Sequence, residues 1–256
     1  MKNNLLAKTV LFMTAASMAV SLTACGSSTD KKTTSSTSAA AESAESSISE
    51  TADGGWEANS GELSLDKNKE AKEAFEKAVD GLTGYSYDPI ALIGSQVVSG
   101  TNYAILCKGE VVVPDALPNY EIVYVYENLD GKAEILGSKT LVSGDDPENA
   151  LGAFTVNEGE AALDKNTDAK AAFDKAFEGM TGASYDAVAY LGSQVVEGTN
   201  YLAFFRETPA AQDPDVKFDV ITAYEDLKGN VKLDDIQTVE LGDMDEAQAE
   251  TEASES

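Results

Sequence analysis

The sequence contains one ten-residue stretch twice: Gly-Ser-Gln-Val-Val-Ser-Gly-Thr-Asn-Tyr at 94–103 and Gly-Ser-Gln-Val-Val-Glu-Gly-Thr-Asn-Tyr at 192–201. The two copies differ only at Ser99 and Glu197. The offset of 98 residues holds without a gap between residues 54–144 and residues 152–242, and 37 of these 91 aligned positions are identical. The chain therefore uses one repeat twice, and the strongest match is a short turn-bearing segment, where binding residues tend to lie.

The repeats divide the 256-residue chain into six predicted segments. These are a signal peptide at 1–24, a disordered tether at 25–53, repeat one at 54–144, a linker at 145–151, repeat two at 152–242 and an acidic disordered tail at 243–256. The tether is rich in Ser, Thr, Ala and Glu and contains no aromatic residue. Such a segment cannot bury enough apolar surface to offset the entropy lost on ordering.

The N-terminus has the features of an exported, lipid-anchored protein. Lys2 is followed by an apolar stretch at residues 5–22, as in a secretory signal. The next residues, Leu22-Thr23-Ala24-Cys25, resemble a bacterial lipobox. That resemblance implies cleavage before Cys25 and diacylglycerol on its sulfur, which would anchor the protein to a bacterial cell membrane, facing outside the cytoplasm. The alternative is an ordinary secretory signal with an incidental cysteine.

Composition excludes several classes of function. A net charge of -27 argues against nucleic-acid binding, which requires clustered Lys and Arg. The absence of histidine rules out Ser-His-Asp and Cys-His catalysis and His-ligated zinc. Acidic stretches at 145–149 and 213–215 lack EF-hand spacing. We therefore expect no enzyme activity, no cofactor and no metal site. Cys107 aligns with Phe205 in the second repeat, so we expect it in the core.

Each repeat is predicted to begin with an amphipathic helix. Its apolar stripe consists of Ala71, Ala74, Phe75, Ala78, Val79 and Leu82 in repeat one, and of Ala169, Ala172, Phe173, Ala176, Phe177 and Met180 in repeat two. This spacing is typical of a helix that packs with one face on a larger element. Asp66 and Asp164 are the predicted N-caps, and Gly81 and Gly179 are the predicted C-terminal stops.

Strand patterns follow the helix. In repeat one they cover 87–98, 103–113, 120–126 and 133–142, and the second repeat has the same order. Turn residues separate them, including an Asp-Gly pair at 130–131. Each repeat is therefore predicted to be an α+β unit, with one helix packed on a four-stranded antiparallel meander that buries one face.

The repeated stretch resembles the Gln-x-Val-x-Gly signature of cystatins, and most closely that of the stefin type. The matching residues are Gln96, Val98 and Gly100 in repeat one and Gln194, Val196 and Gly198 in repeat two. The resemblance implies two tandem cystatin-like domains. It also implies reversible inhibition of papain-like cysteine proteases by a wedge made of an N-terminal glycine trunk and two hairpins.

The resemblance assigns a role to each part of the wedge. The first hairpin comprises Gln96, Val97, Val98, Ser99 and Gly100, and its second copy comprises Gln194, Val195, Val196, Glu197 and Gly198. The trunk comprises Gly54, Gly55 and Gly152. The second hairpin comprises Leu129, Asp130 and Gly131, and its second copy comprises Leu227, Lys228 and Gly229. Asp130 and Lys228 depart from the proline that cystatins carry. A charge at the tip of an apolar wedge weakens docking.

Two further alternatives stay open. The chain could be a non-inhibitory binding or adhesion lipoprotein that presents the same surface to a peptide, a glycan or a cell-envelope partner. Its repeats could also be small sheet domains of the PepSY kind, without an inhibitory hairpin. The deciding observation is whether the segments 54–56, 98–100 and 129–131 line one edge of the domain.

Overall fold

The computed structural model describes residues 54–144 and 154–245, which lie within one compact unit, Ile48–Ser256. The predicted signal peptide, the tether, Cys25, the linker, Gly152 and most of the acidic tail lie outside the described residues.

The two repeats have the same order of elements. Repeat one contains β1 (Trp56–Ala58), α1 (Lys69–Val79), β2 (Tyr85–Val98), β3 (Gly100–Val111), β4 (Asn119–Asn128) and β5 (Ala133–Val142). Repeat two contains β6 (Thr155–Val156), a 3-10 turn (Leu163–Lys165), α2 (Thr167–Ala176), β7 (Ala183–Val196), β8 (Gly198–Pro209), β9 (Lys217–Asp226) and β10 (Val231–Thr238). Both sheets are antiparallel, in the orders β1-β2-β3-β4-β5 and β10-β9-β8-β7-β6.

The prediction of two α+β, cystatin-like domains with four-stranded meanders is wrong. The described protein is mostly β, with 51% strand, 13% helix, two five-stranded sheets and two α-helices. The prediction missed β1 and β6, which pair with β2 and β7 through Trp56 opposite Gln96 and Thr155 opposite Ser193. Strands of three and two residues are too short to produce a period-two pattern in the sequence.

The helices begin later than predicted. The N-cap residues are Asn68 and Asn166 rather than Asp66 and Asp164. Asp66 instead forms an ion pair with Lys72 at 2.6 Å, and Asp164 lies in the 3-10 turn before α2. Asn68 donates from its side chain to the Ser64 carbonyl at 2.8 Å, which fixes the loop that enters α1.

The protein has four layers, with a helix outside each sheet and the two sheets packed face to face. Strand β3 shows the cause, because its alternate residues face opposite sides. Ile105 and Cys107 pack under α1, whereas Ala104 and Leu106 pack against the second sheet, and all four are fully buried. Burial raises the pKa of the Cys107 thiol, so this side chain behaves as a small hydrophobe, as expected.

The core between the sheets belongs to both repeats. Its fully buried large members include Ile93, Leu106, Tyr120, Ile122 and Tyr124 from repeat one and Leu191, Phe204 and Phe218 from repeat two. The rim of the interface is polar and reciprocal. The Lys108 ammonium donates to the Gly159 carbonyl at 3.1 Å, and the Arg206 guanidinium donates to the Gly61 carbonyl at 2.6 Å.

The chain after β10 returns to repeat one as a strap, residues 239–245. The Asp245 amide donates to the Ser138 carbonyl at 2.9 Å, and the Asp245 carboxylate accepts from the Thr140 amide at 2.7 Å. Lys139 pairs with Asp243 at 3.0 Å. The first residues of the predicted tail, 243–245, therefore lie along β5 and tie the end of repeat two to repeat one.

Candidate functional site

The three predicted parts of the wedge lie together at one end of the first sheet. Ser99 alone joins β2 to β3, where Val98 pairs with Gly100. Gly100 in turn pairs with Asn128, the last residue of β4 before the second hairpin. Strand β1 runs beside β2 with Trp56 opposite Gln96, which brings Gly54 to the same end. Residues 54–56, 98–100 and 129–131 therefore lie at the same end of the first sheet.

Gln96 ties the trunk to the first hairpin. Its side-chain amide donates to the Gly54 carbonyl at 2.5 Å, and its side-chain oxygen accepts from the side-chain amide of Asn102 at 2.6 Å. In repeat two the side-chain amide of Asn200 donates to the side-chain oxygen of Gln194 at 2.7 Å. The signature glutamine thus has a structural task inside the hairpin, and in repeat one it also fixes the position of the trunk.

Gly100 allows the two hairpins to lie in close contact. Its φ of +133° is in the region that favours glycine, and a Cβ there would lie 2.3 Å from the Glu127 carbonyl oxygen. The Tyr126 hydroxyl donates to the Ser99 carbonyl at 2.7 Å and pins the turn. Gly198 has the same position, where a Cβ would lie 2.2 Å from the Glu225 carbonyl oxygen.

The second hairpin is held by a side chain at its base. The Asn128 oxygen accepts from the Asp130 amide at 2.9 Å and from the Lys132 amide at 3.0 Å. Gly131 follows with φ +74°, as a three-residue hairpin loop requires. Lys77 near the end of α1 pairs with Glu127 at 2.7 Å, which raises the pKa of the lysine and links the helix to the hairpin.

Asp226 replaces Asn128 in the second repeat. Its carboxylate accepts from the Lys228 amide at 2.8 Å and from the Asn230 amide at 2.9 Å. The hydrogen bonds that Asn230 donates are the main reason that the pKa of Asp226 is lowered. The two hairpins therefore share one geometry with different chemistry at the base.

Each hairpin end exposes large apolar side chains. We call Gly54, Val97–Gly100 and Leu129–Gly131 tip one, and Val195–Gly198 and Leu227–Gly229 tip two. Val97 is 71% exposed and Leu129 is 86% exposed, and their equivalents Val195 and Leu227 are 76% and 85% exposed. These side chains are exposed at the ends of hairpins whose turns are held by hydrogen bonds from Tyr126 and Tyr224.

The charges at the tips differ between the repeats. Tip one has the neutral Ser99 in its first hairpin and Asp130 in its second, and both are exposed. Tip two has Glu197 and Lys228 at these positions, also exposed. Tip one therefore offers the more apolar surface, and each tip presents a different charge pattern to a partner.

The residues that support the tips were not predicted from the sequence. They are Asn102, Tyr126, Lys77 and Glu127, with Asn200, Tyr224, Lys175 and Glu225 as equivalents. Each pair is identical between the repeats. Repeat identity was the signal that could have found Tyr126 and Glu127, which are the only identical residues in the otherwise diverged strand β4.

Two carboxyl groups lie together at the end of repeat two away from its tip. Asp219 is fully buried and accepts from the Thr238 hydroxyl at 2.7 Å. Partial burial and the neighbouring Asp219 raise the pKa of Glu207 above its ordinary value of 4.5. Lys217, the strand partner of Glu207, offsets part of this effect. Glu207 therefore binds a proton more readily in the native state than in the unfolded chain, and its contribution to stability falls as pH rises from 4.5 through its raised pKa.

Replacing Glu207 with glutamine should raise the Tm at pH 7 by about 1–2 °C, because solvent limits such a partly exposed pair to under about 1 kcal/mol. At pH 4, which is below the ordinary pKa of Glu207, the group is mostly protonated in both states, so the variant should melt close to the wild type. Melting curves at the two pH values test this. Glu110→Gln makes the same chemical change at an exposed position in β3 and should alter neither curve. Equal stabilisation of the Glu207 variant at both pH values would contradict the pairing.

Within residues 54–144 and 154–245, no three His, Cys, Asp or Glu side chains are grouped as a metal site would require. Over the same ranges, no helix has the length and apolar character to cross a membrane.

Comparison with known proteins gives no family assignment. No protein-family model and no curated protein matches the sequence. A function for this chain therefore rests on the geometry of its two tips.

Proposed function

We propose that this protein is a reversible inhibitor of papain-like cysteine proteases that acts through tip one. The observation that carries the proposal is the convergence of Gly54, Val97–Gly100 and Leu129–Gly131 at one end of a sheet, with Val97 and Leu129 exposed. The lipid predicted on Cys25, outside the described residues, would hold the inhibitor at the outer side of a bacterial membrane.

Inhibition of this kind needs no covalent chemistry. The Gln96 and Tyr126 hydrogen bonds and the close contact at Gly100 fix the tip before it meets a partner. A preformed surface loses little conformational entropy on docking, so more of the contact energy appears as affinity. In the complex, Val97 and Leu129 would fill apolar subsites on the two sides of the catalytic cysteine, while Gly54 and Gly55 would lie along the cleft beside them.

The double replacement Val97→Asp with Leu129→Asp should weaken inhibition of papain by tip one about 100-fold or more. Burying a valine or leucine side chain contributes about 1.5–3 kcal/mol, and a carboxylate in the same place must also lose its water. The inhibition constant, measured with a fluorogenic peptide substrate, checks this.

The matched control for this experiment is Val112→Asp. Val112 is 66% exposed and lies just beyond the far end of β3, away from tip one. It tests whether any new carboxylate lowers affinity. The proposal fails if the wild-type ectodomain, the chain after Cys25, leaves papain fully active at micromolar concentration. It also fails if the control loses as much inhibition as the double variant.

The exposed charges of Asp130 and Lys228 favour a second candidate function. A charged second hairpin suits recognition of a polar partner, such as a peptide or glycan of the cell envelope, without inhibition. Pull-down from an envelope extract with wild type and with Gln96→Ala plus Gln194→Ala separates the two functions. A partner other than a protease, retained by the wild type and lost with the variant, supports the second candidate.

A further inference from the structure

The position of Trp56 shows where tip one lies relative to repeat two. Trp56 pairs with Gln96, three residues from Ser99, so it marks the base of tip one. Trp56 and Ala58 line a groove together with residues 215–218 and 238–241 of repeat two. This is the end of repeat two where β9 begins, whereas Asp226, next to tip two, is its last residue. Nine residues of strand span about 30 Å.

The reciprocal contacts show the same relation from the other side. Lys108 and Arg206 are equivalent positions, each at the far end of its strand from its own tip. Each donates to a carbonyl in the loop after the first strand of the other repeat, Gly159 for Lys108 and Gly61 for Arg206. An approximate two-fold relation between the repeats, with strand directions reversed, accounts for both contacts.

Tip one and tip two therefore point away from each other, from opposite ends of one compact body. The polar residues that hold them, Gln96 with Asn102 and Gln194 with Asn200, are present in both repeats. The apolar pairs Val97 with Leu129 and Val195 with Leu227 are exposed to nearly the same extent. Each end thus presents one complete pair of hairpins.

We infer that one molecule binds two protease molecules at once, one at each tip. This inference rests on the proposed function and adds a second site and a stoichiometry to it. A partner of about 200 residues has a radius of gyration of about 16 Å. Two such partners, docked on tips that face away from each other and lie roughly 30 Å or more apart, do not overlap. The active-site clefts of the two protease molecules are therefore filled by separate hairpin pairs of the same chain.

Tip two differs from tip one in the charges that a second protease would meet. Glu197 adds a carboxylate beside Val196, and Lys228 adds an ammonium group beside Leu227. Binding at tip two is therefore weaker on an apolar cleft and more sensitive to salt than binding at tip one.

Native mass spectrometry of the ectodomain, with papain blocked by carboxyamidomethylation of its catalytic cysteine, tests the stoichiometry. Wild type with excess papain should carry two papain molecules. Val97→Asp with Leu129→Asp should carry one, and Val195→Asp with Leu227→Asp should also carry one. All four replacements together should carry none, and Val112→Asp should still carry two. Melting curves confirm that each variant is folded, as expected for replacements at exposed positions.

The outcomes distinguish the inference from the function that underlies it. If wild type saturates at one papain and the repeat-two variant binds like wild type, tip two is not a site, while the proposed function at tip one stands. If each pair of replacements removes half of the bound papain, the inference is supported. If wild type binds no papain and does not inhibit it, the proposed function fails and the inference fails with it.

Discussion

Replacing Gly100 with alanine should destabilise the protein by about 3 kcal/mol and abolish inhibition at tip one. The new Cβ would lie 2.3 Å from the Glu127 carbonyl oxygen and 2.8 Å from the Tyr126 ring, at a φ of +133°. The strained backbone alone costs about 1–3 kcal/mol, and the contact with main-chain atoms adds to it. The hairpins must separate to relieve the contact, so the preformed tip is lost. Urea unfolding and papain inhibition measure the two effects.

Gly84→Ala is the matched control for Gly100→Ala. Gly84 also has a positive φ, +82°, but its Cβ would meet no atom within 4 Å. It should cost only about 1–2 kcal/mol of conformational strain and leave inhibition unchanged. If the two variants lost equal stability, or if the Gly100 variant inhibited papain like wild type, close contact between the hairpins would not be what forms the tip.

Phe204→Ala should destabilise both repeats together, by about 3–5 kcal/mol. Phe204 is fully buried in the core between the sheets and stacks on Phe218 with ring centroids 5.6 Å apart. The same core contains Ile122 and Tyr124 of repeat one. A cavity there removes contacts from both sheets, so amide hydrogen exchange should become faster in β4 of repeat one as well as in β8 and β9.

Phe173→Ala serves as the comparison for Phe204→Ala. Phe173 is equally buried, but its cluster under α2 contains only residues of repeat two. Faster exchange should then be concentrated in repeat two. Unchanged exchange in β4 of the Phe204 variant would show that the repeats unfold independently.

Much of the chain's organisation followed from the sequence because the two copies could be compared. The boundaries of β5, Ala133–Val142, agree with the predicted strand, and the stripe of Ala71, Ala74 and Phe75 is buried. The four-layer packing was not predicted. Its signal was present in runs such as Ala104–Cys107 and Ile122–Val125, in which every residue is buried. Continuous apolar strands are typical of sheets covered on both faces. The predicted sheet, in contrast, was covered by a helix on one face only.

The tip residues were predicted from a local motif, but their support was not. Gln96, Val98 and Gly100 lie within five positions, so one short stretch identifies them. Tyr126 lies 27 positions from Ser99, and Lys77 lies 50 positions from Glu127. Such contacts depend on strand register and helix placement, which a single sequence does not specify. The N-caps Asn68 and Asn166 were missed for a related reason. Asp and Asn are both common N-cap residues, and the loop geometry decides which of them begins the helix.

The reciprocal placement of Lys108 and Arg206 has a consequence for how the two ends can change. The shared face has the form of an isologous interface, the kind that joins the subunits of a homodimer. In a homodimer every substitution appears twice, so both ends must stay alike. Here each half is encoded separately, and the halves already differ. The Tyr120 hydroxyl donates to the Asn157 carbonyl across the interface, whereas Phe218 at the equivalent position has no hydroxyl group. Ser99 and Asp130 at one end can therefore be tuned for one target while Glu197 and Lys228 are tuned for another.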